Sequence, residues 1–188
     1  MFEIALTIFI LILIPVYTKT YGIKNFLWFS DIGLFQTVLA LWLKSSLLIS
    51  MASVGILILE LIWCVDFFFR LVTKRSLIGH ADYMFDKNLS LFVRCLSLFH
   101  LALPVIWIIF LADWGYDDRA FYFQTCLVWA VLVLTYFFTD AAENINWVFV
   151  PELHHWKRMS SSVWLVIIMI GYPAFIMFPI HLLLERIF

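Results

Sequence analysis

Charge is scarce in this chain. Asp, Glu, Lys and Arg make up 13% of its 188 residues, about half of the roughly 25% usual in soluble domains. With 65% hydrophobic and 19% aromatic residues and a mean hydropathy of +1.02, a soluble globular domain is excluded. The formal net charge of −1 argues against a nucleic-acid partner and against a strongly basic membrane-surface patch. Cysteine is sparse as well. Cys64, Cys95 and Cys126 are odd in number, sit in or beside apolar runs and lack zinc-ligand spacing, so they read as free thiols. Familiar catalytic signatures are missing too: the chain has no Gly-x-Ser-x-Gly elbow, Walker A loop, His-Glu-x-x-His helix, Gly-rich dinucleotide turn or arginine ladder. Their absence argues against a serine hydrolase, an ATP-driven pump and a voltage sensor.

Long apolar runs fill the chain instead. A spanning helix needs about 20 apolar residues, and runs at Phe2–Thr18, Phe26–Leu43, Leu47–Val72, Leu91–Ala112, Ala120–Thr139 and Ser161–Leu184 predict six of them. The expected fold is all-α, a single polytopic transmembrane domain over residues 1–188. The first run opens Met1-Phe2-Glu3, acidic where a secretory leader is basic, and no small-residue cleavage site follows, so it reads as a span. Three helices followed by three would set two repeats in inverted orientation. A thin echo supports this: Ile14-Pro15-Val16 precedes Phe35-Gln36-Thr37 much as Leu103-Pro104-Val105 precedes Phe123-Gln124-Thr125. A 3+3 repeat is left open.

Positive residues resist translocation, so the basic side of the bundle should face the cytoplasm. Nine of the twelve basic residues fall on one side, at Lys19, Lys24, Arg70, Lys74, Arg75, Lys87, Arg94, Lys157 and Arg158, against Lys44, Arg119 and Arg186 on the other. Both termini are then outside. Asn88-Leu89-Ser90 matches a glycosylation acceptor in a cytoplasmic loop, and glycan there would overturn this topology. Trp42 and Trp114 near one set of helix ends, with Trp28, Trp147, Trp156 and Trp164 near the other, read as aromatic belts anchored in lipid.

Ionisable groups inside a bilayer are costly and default to a functional hypothesis. Glu60 and His100 fall near the middle of consecutive, antiparallel runs, so their side chains could meet. Such a pair could relay a proton or hold a cation, because histidine titrates near neutrality; equally, it could only lock two helices together. The His100 ring could instead satisfy the carbonyl that Pro104 frees. Asp31 falls in the first turns of its helix, where the dipole favours a carboxylate. Asp66 precedes Arg70 by four residues, the spacing of a local ion pair.

Asp140, Glu143, Asn144 and Trp147 are spaced i, i+3, i+4 and i+7, and would share one face if the fifth helix ran on past the membrane edge. Two carboxylates one turn apart with an amide beside them could bind a cation. Glu152 and His155 have the Glu-x-x-His spacing of carboxylate-bridged metal sites, with His154 between them. His80, Asp82 and Asp86 in the other loop on the same side could complete a site for a divalent metal such as Zn, Mn or Fe. A solvated loop face is the alternative. His181, after Pro179, reads as an interfacial residue.

The blocks Asn25-Phe26-Leu27-Trp28-Phe29-Ser30-Asp31-Ile32, Asp82-Tyr83-Met84-Phe85-Asp86, Leu96-Ser97-Leu98-Phe99-His100 and Glu143-Asn144-Ile145-Asn146-Trp147-Val148-Phe149 resemble those of a family of small bacterial polytopic inner-membrane proteins of uncharacterised activity. The resemblance covers most of the chain and implies a bacterial cytoplasmic membrane. Where the family continues Gly-Pro-Gly, this chain has Val150-Pro151-Glu152, so Glu152, His154 and His155 are its own. Asp31, Asp86, His100, Glu143 and Asn144 fall within the resembling blocks and rank first.

Three classes of function follow. The first is a small-molecule or ion carrier or channel, with Glu60 and His100 as coupling groups and Asp31, Asp140, Glu143 and Asn144 on the pathway. The second is an integral-membrane enzyme acting on a lipid or isoprenoid substrate, with carboxylates and histidines as acid, base or metal ligands. The third is a structural membrane subunit. The expected partners are the bilayer and a small-molecule, ion or lipid substrate, and self-assembly into a homo-oligomer is left open.

Overall fold

The computed structural model describes residues 1–151 and 159–188. Glu152, His154 and His155 of the expected metal site lie outside the described residues. The helices are α1 (Phe2–Tyr21), α2 (Phe29–Leu43), α3 (Ser46–Thr73), α4 (Leu91–Leu96), α5 (Phe99–Trp114), α6 (Ala120–Phe138), α7 (Ser161–Gly171) and α8 (Phe178–Ile187). Among the described residues there is no strand. Pairs α4–α5 and α7–α8 each form one interrupted helix, so the described residues form six helices at the positions of the six apolar runs. Among the described residues, five are long and apolar enough to cross a membrane. The exception is α2: its 15 residues extend only about 22 Å at 1.5 Å per residue, short of a hydrocarbon core about 30 Å thick.

The centre of the bundle is α3, which packs on α2, α5 and α6. Small residues make that possible. Ser50, Ala52 and Ser53 are fully buried, and such residues let helix backbones approach where no hydrophobic force drives helices together. The first and last helices both lie at the periphery, so burial does not decide the 3+3 repeat. Gly55 is the tightest point on α3: a Cβ there would lie 2.5 Å from Gln124 Nε2. Gln124 in turn accepts a 2.9 Å hydrogen bond from Gln36 Nε2. Gly55→Val should therefore displace Gln124, break the amide pair and cost about 1–3 kcal/mol by overpacking, read as a lowered melting temperature in detergent. An unchanged transition would show that α6 yields freely there.

Prolines free backbone carbonyls in both interrupted helices. Pro104 has no N–H for the His100 carbonyl, and Cys64 Sγ on α3 donates to that oxygen at 3.5 Å. Pro173 likewise frees the Met169 carbonyl, which Trp129 Nε1 on α6 takes up at 2.7 Å. Between α7 and α8 the chain makes a π-helical turn, Tyr172–Met177, and the Tyr172 hydroxyl donates to Gly55 O. Neighbouring helices thus satisfy the backbone that proline releases, as an apolar solvent demands.

Candidate functional site

At the end of the bundle that carries the basic loops, a cavity of about 590 Å³ lies between the end of α1, the start of α2, the middle of α3, the start of α5 and three connections. Its chemistry begins with Glu60 and His100. His100 Nδ1 lies 2.6 Å from Glu60 Oε2, so the two runs that could have met do meet. His100 sits at the second residue of α5 rather than in mid-helix, because the chain breaks stride at Ser97 and Leu98. There the amides bond three residues back: His100 N to Ser97 O, and Leu101 N to Leu98 O. The ring is clamped between Trp63, at 4.5 Å, and Phe99, at 4.2 Å. A protonated imidazole would lie face-on to both, a favourable place for a cation. The ring therefore goes to Glu60, and Cys64 serves the carbonyl that Pro104 frees.

Asp31 lines the same cavity from the first turn of α2 and is 3% exposed. Its Oδ2 accepts from Asn25 Nδ2 at 3.1 Å, while among the described residues Oδ1 has no hydrogen-bond partner, and neither has Oε1 of Glu60. Asp31 does not cap α2 with its side chain. That work is done by Asn146, which accepts from Phe29 N at 3.1 Å and donates to Leu27 O at 2.7 Å. Asn146 is buried at positive φ, a conformation asparagine tolerates better than most residues. Its neighbour Trp147 lines the mouth, with Trp28 edge-on at 5.9 Å. Trp28 and Trp147 thus form cavity wall, where the sequence reading had them as lipid anchors.

The connection after α3 supplies His80 and Tyr83 to the cavity. It is tied down by Asp66, whose carboxylate accepts from Ile78 N at 2.9 Å, Gly79 N at 3.1 Å and Ala81 N at 2.8 Å. The expected Asp66–Arg70 pair does not form. Backbone amides claim Asp66, and Arg70 reaches out to Asp82 while lying over the Phe85 ring. Burial pulls the pKa of His80 below its ordinary value, against the opposing charge of Asp66. Burial pushes the Tyr83 phenol up, so both side chains are neutral near pH 7.

The face expected from Asp140, Glu143, Asn144 and Trp147 is not built, because α6 ends at Phe138 and the following residues form turns. Asp140 Oδ1 accepts from Ala142 N and Glu143 N. Glu143 pairs with Lys24 at 3.0 Å, with both side chains exposed. The Asn144 amide brackets the Phe149 backbone. None of the three lines the cavity. Of the expected metal ligands, His80 is in the cavity wall, Asp82 is held by Arg70, and Glu152 and His155 lie outside the described residues. Among the described residues, no three His, Cys, Asp or Glu stand together as a metal would need. Asp86 accepts from Asn88 N, and Ser90 of the glycosylation acceptor caps α4 by accepting from Val93 N.

Toward the other end the bundle is closed by polar pairs. Trp107 Nε1 donates to Thr37 at 2.7 Å, Gln36 and Gln124 bond each other, and Ser50 accepts from Asp117 N at 2.9 Å. Beyond them, Tyr116 and His181 bond at 2.8 Å. No family model, curated protein or solved structure matches the chain.

Proposed function

We propose that this chain is a proton-coupled carrier of a small molecule. It would sit in a bacterial cytoplasmic membrane with its basic loops in the cytoplasm and both termini outside. The observation that carries the reading is the Glu60–His100 pair, buried side by side on the wall of a cavity large enough for a small molecule. Imidazole and carboxylate hold one proton between them as a net-neutral pair, and releasing it leaves a carboxylate charge that a cationic ligand or a new proton can neutralise. Two features support a carrier over a channel: the cavity is lined from one end of the bundle, and the Gln36–Gln124 and Thr37–Trp107 pairs close the bundle beyond it. A site closed off from one side of the membrane is what alternating access requires of one state. The enzyme reading is weaker, because Glu143, one of the carboxylates ranked first, pairs with Lys24 away from the cavity. The resemblance to bacterial inner-membrane proteins and the side bearing the basic loops support the location and orientation.

The test is proton movement. Protein reconstituted into liposomes with a pH-sensitive dye inside should alkalinise or acidify the lumen when a transported solute is added, and Glu60→Gln liposomes should not respond. Equal proton flux in Glu60→Gln and wild type would overturn the coupling role.

A further inference from the structure

We propose that the cavity beside Glu60 and His100 binds an organic ammonium: a protonated primary or secondary amine carried on a compact apolar or aromatic body. The proposal deepens the carrier reading and rests on it for the fate of the ligand, though not for its binding.

Three observations converge on this chemistry. First, two carboxyl groups line one cavity, both almost completely buried, and each keeps one oxygen without a partner among the described residues, Asp31 Oδ1 and Glu60 Oε1. A buried acceptor left unpaired costs roughly 1–3 kcal/mol, which a ligand bringing N–H donors would recover. The protein donors that reach these two carboxyl groups serve their other oxygens, Asn25 Nδ2 on Asp31 Oδ2 and His100 Nδ1 on Glu60 Oε2. Second, among the described residues no lysine or arginine lines the cavity, and His80 at the wall is held neutral by burial. His100 is already paired with Glu60, so an anionic ligand would find no lysine or arginine of the described wall to pair with. The other unpartnered groups on the wall, the Tyr21 hydroxyl and the Trp63 indole N–H, are neutral.

Third, the wall is aromatic. Tyr17, Trp28, Phe29 and Trp147 present ring surface to the same space, and a cation over such faces gains about 0.5–2 kcal/mol as water is excluded. The volume, about 590 Å³, falls within the roughly 300–1,000 Å³ of small-molecule sites and far exceeds what a bare metal ion needs. The unpaired oxygens call for hydrogen-bond donors, which favours an ammonium with N–H groups over a quaternary one.

The binding test uses purified wild-type protein in mild detergent. Titrations with propylamine, 2-phenylethylamine, 2-phenylethanol, phenylacetate and trimethyl(2-phenylethyl)ammonium are followed by quenching of the cavity tryptophans and by calorimetry. The expected result is saturable binding of 2-phenylethylamine, with the isosteric alcohol and the acid weaker by about tenfold or more and the quaternary analogue in between. Asp31→Asn should weaken the amine about tenfold and leave the alcohol unchanged. Glu143→Gln, away from the cavity, should change neither. The ligand series on the wild type needs no variant to fold. Alcohol binding as tight as amine binding, tighter binding of the acid, or no saturable binding by either amine would overturn the proposal. Amine binding without proton flux in liposomes would retire the carrier and keep the site; flux without amine binding would do the reverse.

Discussion

Asp66→Asn should loosen the whole Lys74–Ser90 connection and lower stability by about 3 kcal/mol. The carboxylate is 1% exposed and gathers the amides of Ile78, Gly79 and Ala81 onto two oxygens. Hydrogen bonds to a charged acceptor contribute roughly 1.5–3 kcal/mol each, but the three will not simply add. The Ile78 and Gly79 amides are only part-buried and can turn to water, whereas that of Ala81 is buried. Asparagine keeps one acceptor oxygen, loses the charge and turns an N–H₂ group toward amides that also donate. The geometry of the loop adds to the effect, since Gly79 sits at φ +99, where glycine alone is comfortable. Hydrogen exchange across residues 76–85 should speed up by more than tenfold, corresponding to a local loss above about 1.4 kcal/mol. Protection equal to wild type would mean the loop is held by Arg70–Asp82 instead. His80 and Tyr83 hang from this loop, so the same substitution should also loosen the cavity wall.

The sequence made the bundle legible because lipid imposes length and hydropathy on every span. All six runs became helices within a few residues of their expected ends, and Glu60 with His100 stood out because lipid penalises ionisable groups at that depth. What stayed hidden depends on long-range partners. Asn146 caps α2 from 117 residues away, and nothing in its neighbourhood marks it as a capping residue. Asp66 was read with its helical neighbour Arg70, since i,i+4 spacing is visible in sequence, while amides 12 to 15 residues downstream are not. The Asp140–Trp147 spacing presupposed a helix that stops at Phe138. Trp28 and Trp147 met the interface pattern, but whether a tryptophan at a helix end faces lipid or a cavity is decided by packing. The aromatic wall was therefore invisible until its elements were assembled.

The Glu60–His100 pair offers the sharpest separation of coupling from helix locking. Glu60→Ala leaves the imidazole without its partner, and His100→Ala leaves a buried carboxylate. Each should cost about 3 kcal/mol, the low end for breaking a buried pair, because a chain unfolded within the membrane also finds polar partners. Glu60→Ala/His100→Ala should cost less than the sum, and that shortfall measures the coupling. Glu60→Gln differs in kind. Its amide oxygen can still accept from His100 Nδ1 at nearly unchanged volume, so it should cost about 1 kcal/mol, yet it cannot exchange a proton with the ring. A pair that only locks α3 to α5 would tolerate glutamine in both folding and transport. A pair that carries a proton should keep its fold in Glu60→Gln and lose proton flux, and thermal unfolding in detergent beside flux in liposomes reads the two apart. A Glu60→Gln protein as unstable as Glu60→Ala would show that the charge itself holds the helices together.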